Sequence, residues 1–261
     1  MGKGSLRSPL NQGTIACASG HVGGAGTSAR RVAEWPERYV ILMRFLAALL
    51  LALTIGSRAY SMPIHFGPDL AAAGWSIVTF PGIAPARFKA KGASTIEVSA
   101  DAAAGLLWHS MQDFKLPATK AQWSWRVDES VDATDMTQRG KDDRALAVYF
   151  VFGPKSDAAK GPTALLSSSS VRTLAYVFGG DRPRGSVLPS PHMGQRGKFI
   201  ILRPAGGPRQ QWLNESVDLG GDFTRVFGQP PSDLLAVAIS SDSDDTRGRN
   251  RARLRDLRVD D

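Results

Sequence analysis

The 261-residue sequence is short of most residues that carry chemistry. It holds one cysteine, Cys17, and four histidines. Cys17 lies ahead of a leader-like segment, so the chain after that segment has no disulfide, no thiolate nucleophile and no cysteine metal site. A domain of that kind is held by its apolar core alone. The histidines beyond the leader, His65, His109 and His192, have no metal-ligand spacing, which excludes the common zinc motifs. Missing too are G-x-S-x-G, GxxxxGK[ST] and H-E-x-x-H, and with them the nucleophile elbow, the phosphate loop and the zinc-protease helix. Long stretches of helical periodicity are absent. The one short helix the sequence suggests is Asp222 to Phe227, closed by Gly228 and Pro230-Pro231.

What is present begins with Met43 to Tyr60 (MRFLAALLLALTIGSRAY). Arg44 leads an apolar core from Phe45 to Ile55, and Ser57-Arg58-Ala59 gives a small-x-small exit, the pattern of a secretory signal cleaved after Ala59. Residues 1–42 read as a mis-extended or disordered N-terminus, 43–59 as the signal peptide and 60–261 as a single domain. The expected location is the periplasm or the exterior. The alternative, a signal anchor over Tyr39 to Ile55, meets Arg44 and falls short of the roughly 20 apolar residues a span wants, so no membrane span is expected after cleavage. The formal charge of +8 is concentrated upstream. Residues 60–261 carry 25 basic and 22 acidic side chains, a balance of +3 that gives no general reason to expect nucleic acid as a partner.

From Trp75 on, short β-type runs alternate with Gly, Pro, Asp and Ser, as in an all-β sandwich. The ten expected strands are Trp75–Thr79, Ser94–Ser99, Leu106–Ser110, Trp123–Val127, Leu146–Phe152, Thr173–Phe178, Lys198–Leu202, Gln211–Val217, Leu234–Ser240 and Ala252–Val259. They predict a two-sheet antiparallel sandwich of jelly-roll type. LAVYFVF (Leu146 to Phe152) and LLAVAI (Leu234 to Ile239) are apolar on both parities, which predicts central strands covered on both faces. Trp123, Trp125 and Val127 share one face, with Ser124 and Arg126 on the other. In the last strand Ala252 and Leu254 are on one parity and Leu257 and Val259 on the other, which calls for a bulge near Asp256.

The order of these segments is itself informative: the Trp123-x-Trp125 strand, Lys141-Asp142-Asp143 running into LAVYFVF, TLAYVF at 173–178, FIILR, the Trp212 to Glu215 strand, DFTRVFG at 222–228 and AVAISSDSDDT at 236–246. Over about Trp75 to Val259 the chain resembles the bacterial exported family called domain of unknown function 3047. The resemblance implies export and no activity that could be carried over. Ala147 stands where that family usually has Arg, Phe178 where it tends to have Trp, and Asp242-Ser-Asp-Asp-Thr246 where it tends to have Asp-x-Asp-Asn-Thr.

Several groups invite a functional reading. The loop Asp242, Asp244 and Asp245 concentrates carboxylates as Ca²⁺ requires, yet it fails the EF-hand pattern, with Arg247 in place of Gly and Arg253 in place of Glu. Turn hydrogen bonding explains it as well, so no cofactor is expected and Ca²⁺ at these three residues is the exception to test. Asp142 and Asp143 open the most buried strand. Adjacent central strands would bring them beside Asp242 and Asp244, and this juxtaposition is the leading expectation for a site. Trp125, Tyr176 and Trp212 are the candidate sugar-stacking faces. Arg249, Arg251, Arg253 and Arg255 form a stripe of period two, read as a protected sheet edge. Together these lead to an exported, non-catalytic binding module of the bacterial envelope, with an envelope glycan or protein as partner. The alternatives are a polysaccharide-active enzyme using the Asp142 and Asp242 loops, or a structural envelope protein. No catalytic residue can be assigned from the sequence.

Overall fold

The computed structural model describes residues 60–114 and 117–261; the expected signal peptide at 43–59 and residues 1–42 lie outside the described residues. Fourteen strands occur among the described residues. They are β1 (Ser61–Pro63), β2 (Trp75–Val78), β3 (Ala84–Pro85), β4 (Arg87–Ala90), β5 (Thr95–Asp101), β6 (Ala103–Ser110), β7 (Lys120–Glu129), β8 (Arg144–Gly153), β9 (Arg172–Gly179), β10 (Val187–Ser190), β11 (Gly194–Arg203), β12 (Leu213–Asp218), β13 (Asp233–Asp242) and β14 (Arg249–Asp260). All ten expected strands are present. The four additions, β1, β3, β4 and β10, have two to four residues each, too few to show a period.

The strands make two sheets. One has the order β12-β7-β14-β5-β4, with β1 also on β14; the other runs β10-β11-β9-β8-β13-β6-β2, with β3 also on β6. The last two strands are threaded between earlier ones, β14 between β5 and β7 in the first sheet and β13 between β6 and β8 in the second. This two-layer winding is the jelly-roll character the strand spacing predicts. Pairing is antiparallel except at β9–β11 and β3–β6, which are parallel and correct the wholly antiparallel expectation.

The two sheets differ in how they meet water. In the six-stranded sheet the alternation is clean: Ile96, Val98, Trp123, Trp125, Val127, Ala252 and Leu254 are buried in the main core, while Arg249, Arg251 and Arg87 are exposed. Asp256 has φ +55°, and β14 slips in register there, so Leu257 and Val259 return to the core as the parity change requires. In the eight-stranded sheet both faces are covered. Leu146, Val148, Phe150 and Phe152 join the main core, and Ala147 and Val151 belong to two smaller clusters on the outer side. One of these sits under the short helix α1 (Pro162–Ser167), which was not expected; the other lies against Met136 and Leu188.

The expected helix is present as α2 (Leu219–Phe227). Asp218 caps it by accepting from the Gly221 N–H at 2.8 Å, and Gly228, at φ +71°, ends it in the left-handed region that favours glycine. No helix of the described residues is long and apolar enough to cross a membrane. The arginine stripe is corrected as well: β14 is a central strand, so these side chains cover the outer face of a sheet rather than protect its edge.

Candidate functional site

A cleft of about 870 Å³ lies on the outer face of the eight-stranded sheet. Its floor is Leu106 and Trp108 from β6, Ala238 and Ser240 from β13, Tyr149 from β8 and Phe199 from β11. Val78 to Pro81, with Phe80 39 % exposed, form one wall. The opposite wall is α1 together with His192 and Met193 of the β10–β11 turn and Arg196 of β11. Arg196 fixes the two halves of that wall to each other by donating Nη1 hydrogen bonds to the carbonyls of Leu166 (3.1 Å) and Ser168 (2.7 Å).

The acidic loops close one end. Because β8 and β13 are neighbours, their ends bring Asp142 and Asp143 beside Asp242, Asp244 and Asp245, the juxtaposition that strand adjacency allows. The contacts are specific. Asp143 accepts from the N–H of Asp245 (3.3 Å), from the N–H of Thr246 (2.7 Å) and from the Thr246 hydroxyl (2.5 Å). Arg144 directs Nη1 at the Asp142 carbonyl (2.5 Å) and lies 3.3 Å from a carboxylate oxygen of both Asp142 and Asp242. Its guanidinium carbon is 5.4 Å from the Phe199 ring centre and 5.9 Å from that of Tyr149, so the same cation underlies the aromatic floor. Asn250 binds the assembly from behind. Its amide donates to the carbonyls of Arg144 (3.0 Å) and Asp242 (2.6 Å), and its oxygen accepts from the Val131 N–H (2.9 Å).

These surroundings pull the carboxyls apart in acidity. Burial works against the charge on Asp142, yet a hydrogen bond with His192 at 3.2 Å and the Arg144 guanidinium hold it below the usual carboxylate range. Burial pushes Asp242 up to about 9; Arg144 opposes the rise, while Asp244 and Asp143 add to it. Burial and the neighbouring carboxylates also raise Asp245. A carboxyl that binds a proton more tightly folded than unfolded contributes stability below its unfolded value, and that contribution is lost as pH rises toward 9. Asp242→Asn is therefore expected to melt with the wild type near pH 4 and above it at pH 8. Equal melting at both pH values would contradict the raised acidity constant.

Asp143, Asp242 and Asp244 each offer an oxygen within 4.8 Å of the others, so the trio with metal-ligand geometry contains Asp143 rather than the expected Asp245. Two of its members are already engaged, Asp143 by the Thr246 and Asp245 N–H groups and Asp242 by Arg144. An excess of EDTA is expected to leave the melting temperature unchanged; a fall of several degrees would assign the trio to a structural cation.

Two aromatic candidates are corrected by burial. Trp125 is fully enclosed between the sheets, stacked edge-on with Trp123 and Phe178, with its indole N–H on Glu215 at 3.1 Å. Tyr176 is equally enclosed and donates to Asp222 of α2 at 2.9 Å. Neither has a free face. Trp212 is half-buried outside the cleft, under the Arg255 guanidinium at 4.2 Å. The aromatic residues that do line the cleft, Phe80, Trp108, Tyr149 and Phe199, escaped the sequence reading, as did His192. The one available signal was the parity of Tyr149, which puts it opposite the inward-facing Val148 and Phe150.

The model of the family described as "Protein of unknown function (DUF3047)" matches residues 73–258. The chain belongs to this family. No curated protein matches it. Among solved structures, it is similar to the xyloglucanase domain of NopAA, a type three effector from Sinorhizobium fredii, solved with cellobiose. The identity is 10%, over 77% of this chain and 97% of that one, at a TM-score of 0.41. A meso-active, thermo-stable cellulase derived from Cel12A of Rhodothermus marinus gives 12% identity, 77% and 100% coverage and a TM-score of 0.41. A family 11 carbohydrate-binding module from Clostridium thermocellum, in complex with a mixed-linked tetrasaccharide, gives 9%, 76%, 94% and 0.35. Likenesses this distant carry no argument about what the DUF3047 chain binds.

Proposed function

We propose that this DUF3047 protein is a non-catalytic binding module that takes a neutral oligosaccharide into the cleft of the eight-stranded sheet. The observation that carries the reading is the pairing of an aromatic floor with a carboxylate-rich end in one cleft of about 870 Å³. Sugar rings have apolar C–H faces that lie well on aromatic rings and hydroxyl edges that donate to carboxylates, so both halves of the lining have a partner on the same ligand. Hydrolysis is the competing reading, because one carboxyl held ionised beside another held protonated is what a glycosidase needs. The geometry argues against it: Arg144 Nη1 stands 3.3 Å from both Asp142 and Asp242, where the scissile bond would have to lie.

The test is calorimetric titration of the full chain with a panel of neutral gluco-, xylo- and manno-hexaoses, together with an assay for new reducing ends. One member of the panel is expected to bind without being cleaved. Tyr149→Ala should weaken it at least tenfold, and Tyr149→Phe should leave it within about twofold, because the Tyr149 hydroxyl is engaged by Ser240 at 3.4 Å. Failure of every hexaose to bind overturns the proposal, and reducing ends that vanish in Asp242→Asn replace it with hydrolysis. The proposal includes export to the bacterial envelope, supported by the leader pattern of residues 43–59. Sequencing of the periplasmic product should begin at Tyr60; Met1 on a cytosolic product removes that part.

A further inference from the structure

A second groove, of about 860 Å³, runs between β4, β5 and β14 of the six-stranded sheet and Ile77, Thr79 and β3 on the side of the eight-stranded one. The cross-strand register of β14, β5 and β4 sorts the charges there into rows. Arg253 faces Glu97, which faces Lys89; Arg249 faces Asp101. In both rows a carboxylate sits beside the cations, and it is used: Arg253 reaches Glu97 at 3.3 Å and Arg249 reaches Asp101 at 3.2 Å. The row between them breaks the pattern. Arg251 faces Ser99, and Ser99 faces Arg87, so a hydroxyl stands where the neighbouring rows have a carboxylate. Both arginines are exposed, and neither makes an ion pair among the described residues, although Glu129 is the register partner of Arg251 on its other side. Two strand spacings separate their backbones, about 10 Å, so two guanidinium heads can converge on one oxyanion above Ser99.

The remaining lining is mixed: Glu129 and the Arg249-paired Asp101 are its carboxylates, and the other side is apolar. Ile77, half exposed, and Phe88 line it, and Ala86, Ala100 and Ala103 leave the room that larger residues would fill. We propose that this groove binds an acidic glycan, with a uronate-type carboxylate of the sugar chain held between Arg87 and Arg251 and the adjoining ring faces against Ile77 and Phe88. The concave shape favours an extended chain lying in it over a flat membrane surface, against which protruding rather than recessed apolar groups would be needed. The groove shares only Thr79 with the lining of the proposed cleft, and the inference does not depend on that cleft.

The full chain is titrated calorimetrically with hexagalacturonate and with maltohexaose, and is floated with phosphatidylglycerol vesicles. The expected result is binding of hexagalacturonate that weakens at least tenfold in Arg87→Gln/Arg251→Gln and changes less than twofold in the charge-matched Arg182→Gln/Arg225→Gln. Both doubles should keep the wild-type melting temperature. The proposal is overturned if hexagalacturonate does not bind, if the two doubles weaken it equally, or if the vesicles capture the protein through Arg87 and Arg251 while the acidic hexamer does not.

Discussion

Glu215→Ala is expected to lower the unfolding free energy by about 2–3 kcal/mol, the cost of stranding the buried Trp125 indole N–H and losing charge-assisted hydrogen bonds to two partly exposed arginines. Glu215 projects inward from β12 with its side chain 1 % exposed. One carboxylate oxygen accepts from the Trp125 indole N–H (3.1 Å) and from Arg203 Nε (2.7 Å), and the other from Arg184 Nη2 (3.1 Å). Truncation leaves the buried indole N–H without an acceptor and two guanidinium groups without their anion. Glu215→Gln keeps the size and an acceptor for Trp125, so it should lose roughly half as much. Urea denaturation measures both. A loss below about 1 kcal/mol for the alanine variant would mean that this network is not what pins β12 to Trp125.

Arg144→Met is the second large effect, about 3–5 kcal/mol near neutral pH. The side chain is 8 % exposed and is the only cation in contact with both Asp142 and Asp242 among the described residues. Without it, both carboxyls must bind protons more tightly in the folded chain. Asp242, pushed up to about 9, is already protonated near neutral pH, so the deficit relative to wild type should shrink as pH falls and Asp142 protonates. Replacing Asp142 and Asp242 by Asn in the same background should restore most of the loss, because a buried ionic group exchanged whole for neutral groups costs far less than one left half-paired. A deficit independent of pH, or no rescue by the double Asn background, would assign the cost to packing against Phe199 and Tyr149 instead.

How far the sequence reaches depends on whether a face is wet or dry. In the six-stranded sheet one face is solvated, so alternation names the core directly: Trp123, Trp125 and Val127 go inward together, and the parity change in β14 locates the bulge at Asp256. The eight-stranded sheet is covered on both sides, so the apolar runs of β8 and β13 announce central strands without saying which residue looks into the cleft. Parity alone therefore does not separate the enclosed Tyr176 from Tyr149, which lines the cleft. The meeting of the Asp142 and Asp242 loops was legible, because it follows from strand adjacency alone. What they do once they meet was not, since the roles of Asp143 as a loop cap and Arg144 as a bridge depend on side-chain geometry. His192 reaches Asp142 only because the β10–β11 turn folds over the sheet, a tertiary event with no local signature.

Ligand binding is proposed for the cleft of the eight-stranded sheet. Amide chemical-shift mapping of the full chain during titration with the neutral hexaose selected by calorimetry tests it most directly. Perturbations are expected to cluster at residues 78–83, at Trp108 and Tyr149, at 190–196 and at 240–245, with the outer face of the six-stranded sheet silent. Perturbations confined to β14, β5 and β4, or no saturable perturbation at all, would contradict binding in this cleft.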